Sequence, residues 1–301
     1  MKRNKFVNLS EYYLFRAALW KLRLLPYPWS RSILTFLFRV AGYGLGIRRD
    51  VATRQLSMVY PDLDAEKKKE LLRKIYHNMG LTVAEVYLLD EDKLIKTSRI
   101  TGKSNVEEAF SLGRGALMAT AHFGNWETAR VLPLYDIPLS VVVKKQHNPY
   151  FDAYNNAIRC RHGVGLIDFK RGLRDILSCL YKNEMVAILA DQDAGRSGLM
   201  LDFLGWPASH WKGVAKLSLR YKIPIVPGFA LRTSAGNIDF TFREMIYHPE
   251  LEDKEENYRY ILAKVDKAIE EFINRYPEQW FWVHNRWKTA PRQETEDGLP
   301  Q

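Results

Sequence analysis

The sequence predicts an α/β fold, a single domain with a mixed sheet flanked by helices and preceded by a basic, amphipathic helical extension. Three observations predict it. Short apolar, β-branched runs recur along the chain with stretches of helical periodicity between them. The 301 residues are 47% hydrophobic, enough to bury one substantial core. The positive charge is concentrated at the N-terminus, leaving the rest of the chain nearly neutral. The boundaries that follow are 1–49 for a membrane-associating helical segment, 50–291 for the globular domain and 292–301 for an acidic, turn-rich flexible tail.

The extension holds ten Lys and Arg residues against one acid, Glu11, so it carries +9 of the chain's net charge of +10. Its cations alternate with Trp20, Trp29, Leu34, Phe36 and Phe38. Cations mixed with Trp, Phe and Leu describe a helix lying among anionic headgroups, so a membrane surface is an expected partner. A span needs about 20 apolar residues. Ser32 to Ile47 gives sixteen, with Arg39 inside and Gly42, Gly44 and Gly46 at its end, so surface attachment is favoured over a span. Lys2, Arg3 and Lys5 before Phe6 would suit a single N-terminal anchor, but no small-residue cleavage site follows. Basic nucleic-acid grooves are less aliphatic than this, and no nucleic-acid partner is expected.

The elements follow in order. Asp64 can cap a helix whose Leu72, Ile75, Met79, Val83 and Val86 share one face. Strands are expected at Leu117 to Ala121, Leu139 to Val143, Val164 to Ile167, Val186 to Ala190, Ile223 to Phe229 and Ile238 to Phe242. Helices are expected from Glu127 to Tyr135 and near 150–161, 171–182, 211–221 and 254–276. Two cysteines, Cys160 and Cys179, and scattered histidines offer neither a disulfide framework nor zinc-ligand spacing, so no metal is expected.

The chemistry points to A-H-F-G-N-W-E, residues 121–127. His122 falls at the carboxyl edge of a strand, where open α/β sheets place their ligands. Asn125 is a candidate helix N-cap and substrate contact. Glu127, in the first helical turn, is placed to fold back on the imidazole, fixing its tautomer as the acid of a hydrolase triad does. No G-x-S-x-G elbow or cysteine nucleophile signature accompanies them, which suggests direct attack by a substrate hydroxyl.

Further clusters are candidate binding groups. Lys144 and Lys145, followed by Arg159 and Arg161, could attract or clamp anions. Asp191 and Asp193 close a strand end, where carboxylates are costly unless solvated, paired or functional; an Asx turn closed by Gly195 is the simpler account. Phe203 to Pro207, with Trp206, forms an apolar turn that could wall an acyl chain. The aromatic run Pro277 to Lys288 could line a lipid groove or cap the core.

Together these residues resemble the late acyltransferases of lipid A biosynthesis, the lauroyl and myristoyl transferase type, within the lysophospholipid acyltransferase superfamily. The resemblance runs from about Arg48 to Lys288. It rests on Arg49-Asp50-Val51-Ala52 to Tyr60-Pro61, A-H-F-G-N-W-E, Arg159 to Gly163, Asp191-Gln192-Asp193 with F-L-G-W-P-A, and P-E-Q-W-F-W-V-H-N-R-W-K. The resemblance implies that 50–291 is an acyltransferase domain with His122 and Glu127 as catalytic His and acid. It implies Arg159, with Arg161 a close competitor, as the essential arginine, and Asp191 or Asp193 as the acid after the next strand. It implies an acyl carrier protein donor, a lipid A precursor as membrane lipid acceptor, work at the cytoplasmic face of the inner membrane, and no cofactor. Related enzymes act on lysophospholipids, ornithine lipids or phosphoinositide glycolipids, so another acceptor, or coenzyme A as carrier, stays open.

Overall fold

The computed structural model describes residues 4–169 and 172–290, so the expected tail at 292–301 lies outside the described residues. The chain runs α1 (Lys5–Arg23), α2 (Tyr27–Arg39), α3 (Arg49–Val59), α4 (Ala65–Tyr87), α5 (Glu91–Thr97), β1 (Ser98–Thr101), α6 (Lys103–Ser111) and β2 (Ala116–Thr120). It continues through β3 (Leu139–Val143), α7 (Pro149–Arg159), β4 (Gly165–Asp168), α8 (Gly172–Tyr181), β5 (Met185–Leu189), β6 (Leu199–Phe203) and β7 (Trp206–His210). It ends with α9 (Gly213–Tyr221), β8 (Ile225–Arg232), β9 (Ile238–Phe242) and α10 (Glu255–Arg275).

Seven strands form one mixed sheet in the order β1-β9-β8-β2-β5-β3-β4, parallel throughout except for the β8–β9 pair. β2 and β5 sit in its middle and are buried on both faces, so they read as continuous apolar runs without alternation. Their alternating side chains feed two cores. Leu117, Ala119, Val186 and Ile188 pack towards α8, α9 and α10, while Ala116, Met118, Met185 and Ala187 pack towards α6 and the segment after β2.

All six expected strands form, with ends shifted by a few residues. Three further strands were not expected. β1 is a four-residue edge strand too short to show a period. β6 and β7 pair as a separate hairpin, which makes the Phe203 to Pro207 turn its tip, with Leu204 and Gly205 at positive φ. The segment after β2 is a 3₁₀ helix over Trp126–Tyr135, tightened around Pro133.

The N-terminal segment is packed on the domain. α2 crosses α4 at Gly80, where a Cβ would sit 2.6 Å from the Thr35 Cα, and Tyr76 occupies the space a Cβ on Gly42 would need. On α1, Phe15 meets Tyr87 and Phe151 edge-on or tilted at 5.2 and 5.0 Å. The outer faces keep Trp20, Leu24, Trp29, Phe36 and Leu37 exposed. Among the described residues, no helix is long and apolar enough to cross a membrane.

Candidate active site

The site lies at the carboxyl ends of β2 and β5. These strands pair in parallel with Thr120 opposite Leu189, so the residues two positions beyond each, His122 and Asp191, emerge side by side. His122 Nδ1 lies 2.8 Å from Asp191 Oδ1, and the His122 backbone N–H donates to Oδ2 at 2.9 Å. Trp280 Nε1 donates to that same Oδ2 at 2.8 Å. Burial alone would push the Asp191 carboxyl up; the His122 ring, the Trp280 indole and the His122 amide outweigh it and hold the group below the ordinary carboxylate value. An ionised Asp191 places the imidazole proton on Nδ1 and leaves the Nε2 lone pair free. The Gln192 amide nitrogen lies 3.4 Å from Nε2, where that lone pair can accept.

This corrects the expected pairing of His122 with Glu127. Glu127 turns away from the imidazole and binds Arg159, whose Nε donates to Oε2 at 2.8 Å and whose Nη2 donates to Oε1. The 3₁₀ geometry aims Glu127 at α7 instead of back over the strand end. Burial opposes the Arg159 charge, but Glu127 more than offsets it and raises its affinity for the proton. Arg159 Nη1 donates to Asn156 at 3.1 Å, which leaves two of its five guanidinium hydrogens uncommitted.

The A-H-F-G-N-W-E loop is held from two sides. The Gly124 amide donates to the Gln279 carbonyl at 2.9 Å and the Asn125 amide to the Ala230 carbonyl at 3.1 Å, while the His122 carbonyl accepts from Phe281 N at 3.1 Å. Gly124 has φ +58°, and a Cβ there would sit 1.8 Å from the Ala230 carbonyl oxygen, so only glycine fits. The run Pro277 to Lys288 thus packs the core and also braces the histidine loop.

Two cavities meet at His122. One of about 300 Å³ is walled by Phe38, Met79, Val83, Tyr87 and Ile158. The other, about 660 Å³, runs along the sheet between Met118, Val141, Val164 and Ala187, with Lys144 and Gln192 at its polar end. His122, Trp126, Glu127, Gln146 and Arg159 line both.

Other expected contacts fall elsewhere. Asn125 is fully buried, makes no side-chain cap, and donates to Glu85 at 2.8 Å within a network in which Arg232 binds Glu85 through Nε and Nη2 at 2.7 and 2.6 Å. Arg161 donates to Glu91 at 2.7 Å, beside the buried Arg130, and lines neither cavity. Asp193 borders the larger cavity, but its carboxylate accepts from Gly195 N and the Thr289 hydroxyl at 3.1 and 2.7 Å, pinning the C-terminal segment. Phe203 is fully buried against Trp280 and Trp287, and Trp206 donates to the Met58 carbonyl at 2.9 Å; neither lines either of the two cavities at His122. Lys144 and Lys145 are exposed, and only Lys144 reaches a cavity mouth. Trp280 and Gln192 were not expected; the equal offset of His122 and Asp191 from their strands was the available signal. Among the described residues, no three His, Cys, Asp or Glu side chains gather as they would round a metal ion.

The α/β sheet carries a histidine–carboxylate pair at its carboxyl edge, open to two cavities, an arrangement able to accept a proton and return it. Residues 1–289 match the bacterial lipid A biosynthesis acyltransferases, and the chain belongs to that family of acyltransferases. It is 26% identical over 279 residues to a lipid A biosynthesis palmitoleoyltransferase of Escherichia coli (strain K12), covering 91% of this chain and 89% of that protein. It is 23% identical over 288 residues to the lipid A biosynthesis lauroyltransferase of the same organism, covering 94% and 91%. A phosphatidylinositol mannoside acyltransferase of Mycolicibacterium smegmatis is 23% identical over 281 residues, covering 90% of each chain.

Proposed function

We propose that the protein transfers a fatty acyl chain from an acyl carrier protein thioester to a hydroxyl of a lipid A precursor at the cytoplasmic face of the inner membrane. The observation that carries this reading is that His122, paired with Asp191, is among the residues lining both cavities. The larger cavity, lined by small and branched apolar side chains along the sheet, suits an extended acyl chain, and Lys144 at its edge, with the exposed Lys145 beside it in the chain, suits an acidic carrier. The smaller one opens beside Phe38 on α2, next to the exposed aromatics that suit a membrane surface, and takes the acceptor.

In this mechanism Nε2 removes the acceptor hydroxyl proton as its oxygen attacks the thioester carbonyl. Asp191 stabilises the imidazolium that forms. Arg159, held by Glu127, offers its uncommitted N–H groups to the tetrahedral oxyanion. Collapse breaks the carbon–sulfur bond, and the leaving thiolate takes the proton from the imidazolium. The base is restored, with an ester and a free carrier thiol as products.

A second reading, favoured by the likeness to the phosphatidylinositol mannoside enzyme, keeps the acyl transfer and changes the acceptor, with coenzyme A as a possible carrier. Mass spectrometry of lipid A from a host lacking its own late acyltransferases separates the two. A gain of one acyl mass with this protein and none with His122→Ala is the expected result. A change in another lipid class alone would overturn the acceptor and leave the chemistry standing.

A further inference from the structure

An oxyanion formed beside His122 needs hydrogen-bond donors, and the backbone of the histidine loop does not supply them. The amides of His122, Phe123, Gly124 and Asn125 already donate to Asp191, Ala121, Gln279 and Ala230 at 2.7 to 3.1 Å. Residues 122–125 thus keep no amide for a reacting group, and side chains on the cavity walls are the source that remains beside the base. Arg159 is one such donor, with its charge already matched by Glu127.

Most of the neutral amides on those walls are held elsewhere. Gln279 grips the Arg232 backbone through both ends of its side chain at 2.9 and 2.8 Å, Asn78 accepts from the Arg232 guanidinium, and Asn155 bridges Tyr87 and Gln146. Gln192 differs. Its contact with His122 Nε2 at 3.4 Å is the one hydrogen bond its side chain makes among the described residues. Its backbone is fixed from both sides, since Asp191 accepts from three N–H donors and Asp193 accepts from Gly195 and from the amide and hydroxyl of Thr289. The side chain lines the larger cavity and not the smaller one, so it stands on the acyl-donor side of the base.

A hydroxyl that gives its proton to Nε2 must approach it to about 2.6–3.2 Å, and the Gln192 amide stands in that place. The amide has to yield, and its terminal torsion is a soft one. The carbonyl carbon under attack lies about 3–3.5 Å from the hydroxyl oxygen, so the displaced N–H groups stay within reach of the carbonyl oxygen. We infer that Gln192 is a catalytic residue whose side-chain amide caps the His122 base at rest and donates to the thioester oxyanion once the acceptor hydroxyl takes its place. The amide lends a hydrogen bond and gives up no proton. The hydroxyl oxygen bonds to the acyl carbon, its proton passes through Nε2 to the leaving thiolate, and the carbon–sulfur bond breaks. This deepens the donor side of the proposed function and rests on it.

The test is steady-state acyl transfer by the full chain, with the carrier thioester and the coenzyme A thioester as parallel donors, in wild type, Q192L and Q192E. Both substitutions keep roughly the size of the side chain and remove its N–H groups. Each is expected to lower kcat by about 10² to 10³, the effect of one oxyanion donor, and to leave KM for the thioester within about threefold, because the bond is made only in the transition state. The ¹⁵N shifts of His122 in Q192L are expected to show Nδ1 still protonated, which separates the loss from a disturbed Asp191 pair. A Q192L protein of unchanged thermal stability within about tenfold of wild-type kcat, or one impaired through KM alone, overturns the assignment and leaves the acyl transfer standing. Wild-type activity in Q192E does the same, since a side chain that merely fills space would be replaced by its isostere. If the wild type uses the coenzyme A thioester alone, the carrier falls from the proposed function while the same loss of kcat on that donor upholds Gln192.

Discussion

Replacing Asp191 with Asn tests which carboxylate governs His122. Asp191 is buried and accepts three N–H bonds, one from the imidazole on Oδ1 and two, from the His122 amide and Trp280, on Oδ2. An isosteric amide cannot satisfy all three. With its oxygen towards the imidazole, its NH₂ would face two N–H donors, stranding each at about 1–3 kcal/mol. The amide oxygen therefore takes the Oδ2 place and the NH₂ donates to Nδ1. The imidazole proton moves to Nε2, and the base is lost. The corresponding change in a serine-hydrolase triad lowers kcat by about 10⁴, or about 5.5 kcal/mol, and a loss of that order is expected here. The assay is acyl transfer from a carrier thioester, read beside ¹⁵N shifts of His122, which report the tautomer directly. A folded Asp191→Asn protein within tenfold of wild type, or one whose Nδ1 stays protonated, would refute the reasoning.

Glu127→Gln should leave the His122 tautomer intact and lower kcat by about 10² to 10³, as loss of one oxyanion donor does, because Arg159 loses its charged anchor; the same ¹⁵N spectrum checks it. Arg161→Ala should keep kcat within about threefold and cost no more than about 1 kcal/mol in urea unfolding, since its pair with Glu91 is solvent-screened. Gly124→Ala should destabilise by at least about 2 kcal/mol, combining the positive φ with the clash at Ala230, and a smaller loss in urea would show that the loop yields. His284, held below its ordinary pKa chiefly by burial, accepts from the Asp193 amide at 3.3 Å. The unfolded chain takes up that proton more readily, so the stabilisation is complete above about pH 6.5 and falls as pH drops through that value towards the folded pKa. Urea unfolding from pH 7.5 to 5 should show a shallower decline in His284→Gln than in wild type; equal slopes would count against this.

Local pattern and chain chemistry made much of the protein legible. Central parallel strands buried on both faces read as unbroken apolar runs, so β2 and β5 announced themselves, and the tilt of positive charge towards residues 1–49 was visible as a count. The histidine motif was legible too, because a titratable group directly after a buried strand is uncommon without a use. β1 and the β6–β7 hairpin were not, since a short edge strand and a Gly-Trp-Pro turn carry no period. The partner of His122 was the larger loss. Sequence distance favoured Glu127, five residues on, yet a 3₁₀ turn aims that carboxylate at Arg159, while the β2–β5 register delivers Asp191 from 69 residues away. Arg159 and Arg161 looked interchangeable in the sequence, and only the end of α7 separates them, one facing Glu127 and the other Glu91. Residue types and local periodicity, which depend on neighbours along the chain, determined the class of fold and the kind of chemistry. Which acid meets which base depends on strand register and helix packing between distant segments, and the tertiary structure alone decided it.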